Sequence, residues 1–145
     1  MTMYHKVLVA LDLAAETDTL MARARAVAAP DAEIAIVHVL EPAYFYYGME
    51  PGIGMLPDNF EAELLKRAQT ELAAKADRYG VPERLRFLER GHASTQILRL
   101  AQDRGTDLIV VGSHGRHGWR LLLGSTANGV LHGAPCDVLA IRVNK

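Results

Sequence analysis

At 145 residues, with 16 basic and 17 acidic side chains and a formal net charge of −1, the chain has the length of one domain, 1–145, able to bury roughly 68–70% of its unfolded surface on folding. So even a charge balance leaves no electrostatic footprint for nucleic acid or an anionic membrane. The opening Met-Thr-Met-Tyr-His-Lys has neither the h-region nor the cleavage site of a signal peptide, and no apolar stretch approaches the ~18 residues that span a bilayer, so a cytoplasmic protein is expected.

In chain order, residues 7–11 form the first predicted strand, short and apolar and followed by Asp12. Thr17 or Asp18 can cap a first helix in which Leu20, Met21, Ala24, Val27 and Ala28 share one face, while Arg23 and Arg25 point away. Residues 34–40 read as the second strand. Segment 41–56 fits neither period: Tyr44, Phe45, Tyr46 and Tyr47 precede Gly48, Pro51, Gly52 and Gly54, the composition of a long loop. No Lys or Arg interleaves these aromatics, which argues against an RNA-binding platform and for packing under the loop or against a second subunit.

A second helix is expected after Pro57, where Asp58 and Glu61 resemble a capping box; its stripe is Leu65, Ala68, Leu72, Ala76 and Tyr79, and Gly80 and Pro82 stop it. Residues 85–88 are the third strand. Ser94 caps a third helix with Ile97, Leu98 and Ala101 inward and Gly105 at its end. Residues 108–111 are the fourth strand, 125–132 a fourth helix closed by Gly133 and Pro135, and 138–143 the fifth strand. The single Cys136 forms no internal disulfide and reads as a small packed residue rather than a nucleophile.

Strands alternating with helices imply an α/β fold with a doubly wound parallel sheet. With right-handed crossovers, strands two and three growing outward on one side of strand one and strands four and five on the other give the order 3-2-1-4-5. Strands one and four then flank a switch point, where the connecting helices leave on opposite faces and open a crevice at the carboxyl ends. Asp12 and Gly112 meet there.

The stretch Leu108-Ile109-Val110-Val111-Gly112-Ser113-His114-Gly115, with Gly124-Ser125-Thr126 after eight intervening residues, reads as a buried strand delivering a phosphate site. Glycines after a strand let the backbone approach an anion without a Cβ in the way. A helix start adds unpaired N–H groups and a positive dipole end, to which Ser125 and Thr126 can add hydroxyl donors. Ser125 also fits plain helix capping.

These residues carry a resemblance. Gly112-x-x-Gly115 and Gly124-Ser125, with Val110-Val111 and Ala134-Pro135-Cys136-Asp137-Val138-Leu139, look like the C-terminal signature of the universal stress protein family, and Lys6-Val7-Leu8-Val9-Ala10-Leu11-Asp12 looks like its first strand and terminal acid. The similarity runs from about residue 4 to residue 143 and is greatest to the universal stress protein A type of proteobacteria. The nucleotide-binding members have a pattern resembling G-x2-G-x9-G-[ST]; here only eight residues, 116–123, separate Gly115 from Gly124, a loop length shared with relatives regarded as not binding ATP.

The resemblance implies the 3-2-1-4-5 order, a homodimer through antiparallel pairing of the last strands, and an adenine nucleotide, ATP with or without magnesium, bound by Ala10, Leu11, Asp12, Val39, Gly112, Gly115, Arg116, Gly124, Ser125 and Thr126. Asp12 would meet a ribose hydroxyl or a metal on the phosphates, or else cap and be solvated at its strand end. Val39 would flank the adenine, or be plain core. Arg116 can clamp phosphate through its guanidinium fork or be an exposed loop cation.

No catalytic or metal residue is assigned. Gly112, Gly115 and Gly118 are not the dinucleotide fingerprint, no Gly-Lys-Ser/Thr exists for a P-loop, and Ser113 lies in no nucleophile elbow. His114 and His117 lack further ligands for a metal, and His5, His38, His92 and His132 read as satisfied or solvated. Two functions follow: a homodimeric ATP-binding stress protein with at most slow hydrolysis, no catalytic base being evident, or a non-nucleotide-binding interaction protein acting through its dimer and aromatic loop. Residue identities favour the first and loop length the second.

Overall fold

The computed structural model describes residues 3–13, 17–41, 59–113 and 125–142. The elements are β1 (Tyr4–Ala10), α1 (Thr17–Val27), β2 (Ala28–Leu40), α2 (Phe60–Arg78), a short 3-10 turn (Glu83–Leu85), β3 (Arg86–Arg90), α3 (Ala93–Arg104), β4 (Leu108–Gly112), α4 (Ser125–Gly133) and β5 (Asp137–Ile141). All strand pairings are parallel, in the order β3-β2-β1-β4-β5, the doubly wound α/β sheet expected from the alternation of elements. Right-handed crossovers put α1 and α2 on one face and α3 and α4 on the other.

The apolar runs of β1 and β4 form the centre of the core. Val7, Leu8, Val9 and Leu108 through Val111 are each at most 2% exposed, as strands covered by helices on both faces must be. Leu20, Met21 and Ala24 of α1, Ala68, Leu72 and Ala76 of α2, Ile97 and Ala101 of α3, and Ala127 and Val130 of α4 close on them. Among the described residues no helix is long and apolar enough to cross a membrane.

Local expectations are corrected at several points, beginning with β1, which spans Tyr4–Ala10 rather than 7–11. β2 begins at Ala28 rather than at residue 34, because Tyr4 pairs with Ala28 before the register shifts to Lys6–Glu33; Ala28 is thus strand rather than the tail of α1's apolar face. Residue 85 closes the 3-10 turn and β3 starts after it. Ser94 lies inside α3, whose cap position is His92; the Ser94 hydroxyl is 3.2 Å from His92 Nδ1. At the start of α2 the cap position is Asn59, whose amide donates to the Glu63 carboxylate at 2.9 Å, and Asp58 lies outside the described residues. Loop 41–56 is described only at Glu41.

At the amino ends of the central strands, Asp107 ties β4 to β1: its carboxylate accepts the N–H of His5 at 2.8 Å and of Lys6 at 2.9 Å, and its own N–H donates to the Lys6 carbonyl at 2.8 Å. Replacing Asp107 with Ala leaves two backbone donors to water and is expected to cost about 1–2 kcal/mol, the lower part of the range for charge-assisted bonds because the site is exposed. Urea unfolding checks this. Cys136 is half-buried, and burial, with Asp107 and Asp137 nearby, pushes its thiol up from the ordinary value, so it stays protonated and inert near neutral pH.

Candidate functional site

The site is the carboxyl rim of the sheet where strand order reverses, between β1 and β4. β1 ends at Ala10; Leu11 is buried, Asp12 is exposed, and Leu13 turns the chain in the left-handed region at φ 65°, the one non-glycine positive φ among the described residues. A Leu in that conformation is strained, and such residues persist where the surrounding structure over-determines them, characteristically at functional rims. Beside it β4 ends at Gly112, and the N–H of Ser113 donates to the Ile141 carbonyl at 2.8 Å. That bond continues the pairing to β5 and takes the Ser113 N–H away from any ligand.

α4 starts at Ser125, which is exposed, followed by the half-buried Thr126 and the buried Ala127. Its first turn carries no acidic side chain, so the positive end of the helix is not neutralised from within the turn. The described candidates Asp12, Gly112, Ser125 and Thr126 thus sit at the ends of β1 and β4 and the start of α4. Gly115, Arg116 and Gly124, with His114, His117, Gly118 and Trp119, lie outside the described residues.

β2 supplies the third wall. Gly91 N–H donates to the Leu40 carbonyl at 3.1 Å, and the Glu41 carboxylate accepts the Ala93 N–H at 3.2 Å, so the end of β2 is tied to the start of α3. The Val39 side chain is 7% exposed and belongs to the core, which leaves its backbone as the part that can reach the rim. Leu11 N–H donates to Val37 oxygen on the β1 side, whereas Leu40 bonds towards β3. Because backbone groups alternate sides along a strand, the N–H and C=O of Val39 face the β1 side, past the last paired residues Ala10 and Val37.

Nothing in the sequence pattern sets His38 apart from His5, His92 and His132. In the structure it stands at this rim, half-buried, with Nδ1 2.7 Å from the Leu11 carbonyl oxygen. A carbonyl only accepts, so Nδ1 carries the proton and donates. The one signal in the sequence is position: His38 directly precedes Val39 at the strand end nearest Asp12. His92 lies 3.3 Å from the Thr95 hydroxyl at the start of α3, and His5 lies 3.8 Å from Asp31. Among the described residues no three His, Cys, Asp or Glu side chains come together as a metal site.

The arrangement offers one acid at a strand end, backbone donors at a helix start and an open strand edge. The described residues can hold a phosphorylated ligand by its parts, and none of them is placed as a base to activate a nucleophile.

Comparison with known proteins converges on one family. The model of the universal stress protein family matches residues 3–142. Universal stress protein A homolog 2 of Coxiella burnetii is 41% identical over 145 residues, covering 97% of this chain and 96% of its own length. Among solved structures, the hypothetical protein MJ0577 superposes with a TM-score of 0.79 at 20% identity over 99% of both chains, and a universal stress protein in complex with cAMP with a TM-score of 0.59 at 24% identity over 97% of this chain and 98% of its own. A family model that spans nearly the whole described fold, and a full-length relative at 41% identity, give the switch-point crevice its lineage: the chain belongs to the universal stress protein family.

Proposed function

We propose that this chain is a small homodimeric stress-response protein that binds an adenine nucleotide, ATP with or without magnesium, at the carboxyl rim between β1 and β4. The observation that carries the reading is the reversal of strand order there, with Asp12, Gly112 and the start of α4 on one rim, since open α/β sheets bind ligands at such points. The phosphates lie against the start of α4, with Ser125 and Thr126 adding hydroxyls, and Gly115, Arg116 and Gly124 complete the set of ligand residues. Asp12 takes the ribose hydroxyls or the metal. The base lies along the backbone of Val39, beside Ala10 and Leu11. That a universal stress protein of like fold holds cAMP supports an adenine nucleotide as the ligand class. The protein is not an enzyme beyond slow hydrolysis.

A second reading rests on one observation, the eight residues between Gly115 and Gly124: a closed, nucleotide-free loop on an interaction protein. Titration separates the two, because the only tryptophan, Trp119, lies in that loop. Binding predicts a saturable shift of Trp119 emission with ATP and magnesium. Asp12→Ala should then weaken the midpoint about tenfold, and Ser125→Ala should cost about 1.5–3 kcal/mol as the loss of a hydrogen bond to a charged group. Unchanged emission at millimolar ATP, together with a lowered melting temperature for Trp119→Ala, would overturn nucleotide binding.

A further inference from the structure

We infer that His38 is a positioning residue that holds the β1–β2 ladder open at the ligand rim, and so keeps the backbone of Val39 presented to the base. The inference rests on the nucleotide reading above. It starts from a missing rung. In a parallel ladder, a residue that donates its N–H to one neighbour accepts, on its own carbonyl, the N–H of the residue two further along. Leu11 N–H donates to Val37 oxygen at 2.8 Å, so the next rung would run from Val39 N–H to the Leu11 carbonyl. The register stops at Ala10–Val37, and the Leu11 carbonyl takes His38 Nδ1 at 2.7 Å instead.

The substitution of a side-chain donor for a backbone one has three consequences. It satisfies a carbonyl at a buried residue, which would otherwise carry a desolvation penalty. It leaves the N–H and C=O of Val39 facing the crevice as a donor and an acceptor side by side, the pattern that an adenine edge complements. It also fixes the Leu11–Asp12 peptide in the orientation from which the chain turns at Leu13 with φ 65°, so one imidazole bears on the backbone at both strand ends. The hydrogen bond requires the proton on Nδ1.

Two variants test this on the full chain. His38→Leu keeps apolar bulk and removes the donor; His38→Asn places an amide N–H close to where Nδ1 stood. The first measurement uses protein free of nucleotide, following exchange of the Val39 amide by NMR. The amide should exchange rapidly in the parent and in His38→Asn, and about tenfold or more slowly in His38→Leu, where the freed Leu11 carbonyl closes the rung. The second is calorimetry with ATP, adenosine and inorganic tripolyphosphate. His38→Leu should weaken ATP and adenosine about tenfold and leave tripolyphosphate unchanged, and His38→Asn should recover most of the loss. A Val39 amide already protected in the parent, or unchanged in His38→Leu, would overturn the ladder role. If the parent binds ATP and His38→Leu binds it as tightly, the positioning role falls while nucleotide binding stands. If the parent binds no adenine compound, nucleotide binding falls and the ligand role of His38 with it.

Discussion

Gly129→Val is expected to destabilise the fold by about 2–4 kcal/mol, a fall in melting temperature on the order of 10 °C for a chain of this size. The cause is the contact between α3 and α4. A Cβ built on Gly129 would lie 2.7 Å from both Cβ and Oγ of Ser94, and Ser94 is itself buried at 8% exposure. Neither atom is the free end of a long side chain, so a helix must move. Gly129→Ala separates two opposing terms. Ala gains about 1 kcal/mol of helix propensity over Gly, while overpacking typically costs 1–3 kcal/mol; clash should win and the variant should be less stable than the parent. Ser94→Gly should restore the room, so that the double variant Gly129→Ala with Ser94→Gly melts closer to the parent than the two single effects would sum to. A coupling of about 1–2 kcal/mol in the double-mutant cycle is expected. Gly133→Ala is the control: its Cβ comes closest to Leu98 Cδ1, at 2.7 Å, with the other Leu98 atoms at 3.9 Å or more; that tip of a side chain can rotate away, and stability should change little. Additive single effects at Gly129 and Ser94 would refute the close-packing account.

The same contrast between side-chain pattern and backbone geometry explains what the sequence made legible. β1 and β4 were readable because strands covered on both faces must be apolar throughout, and Val7 to Val9 and Leu108 to Val111 are. The first half of β2 was not readable: Ala-Ala-Pro-Asp-Ala-Glu has neither β-branched residues nor alternation, and it is strand only because Tyr4 and then Lys6 of β1 pair with it across a shift in register. Leu85 is 3% exposed, so its apolarity correctly marked burial while its turn conformation left no trace in composition. Ser94 suits a cap chemically, but the helix starts before it and its place is decided by the approach of Gly129. At the rim, Asp12, Gly112 and Ser125 follow from strand ends and a helix start, features that leave Gly, Ser and acid at predictable places. His38 does not follow, because its partner is the backbone carbonyl of Leu11, and a missing ladder rung has no signature in side-chain pattern.

Ala140→Pro is expected to separate the proposed dimer while leaving the protomer folded, raising the dissociation constant on the order of 100-fold or more. The two sheet edges differ. On β3, Arg86 pairs with Asp77 at 2.7 Å, Arg90 lies 3.8 Å from Glu61, and Arg104 stands 4.9 Å over the Phe87 ring; charge of this kind blunts an edge against pairing. β5 is Asp137-Val138-Leu139-Ala140-Ile141, with no charge after its first residue, and Val138, Leu139 and Ala140 are each half-buried. Such an edge suits a second copy paired antiparallel about a twofold axis. The Ser113 N–H donating to Ile141 oxygen shows which residues of β5 bond inward to β4: Ile141 and, by alternation, Leu139 and Asp137, while Val138 and Ala140 turn their N–H groups outward. Proline at 140 therefore removes an outward donor and no bond to β4, and the twofold axis makes the loss count twice. Leu139→Pro removes an inward rung instead and should cost about 3 kcal/mol of protomer stability. Light scattering at micromolar concentration should give a dimer for the parent and a monomer for Ala140→Pro, with unchanged far-ultraviolet circular dichroism. A parent that is monomeric there, or an Ala140→Pro variant that remains a dimer, would rule out assembly through β5.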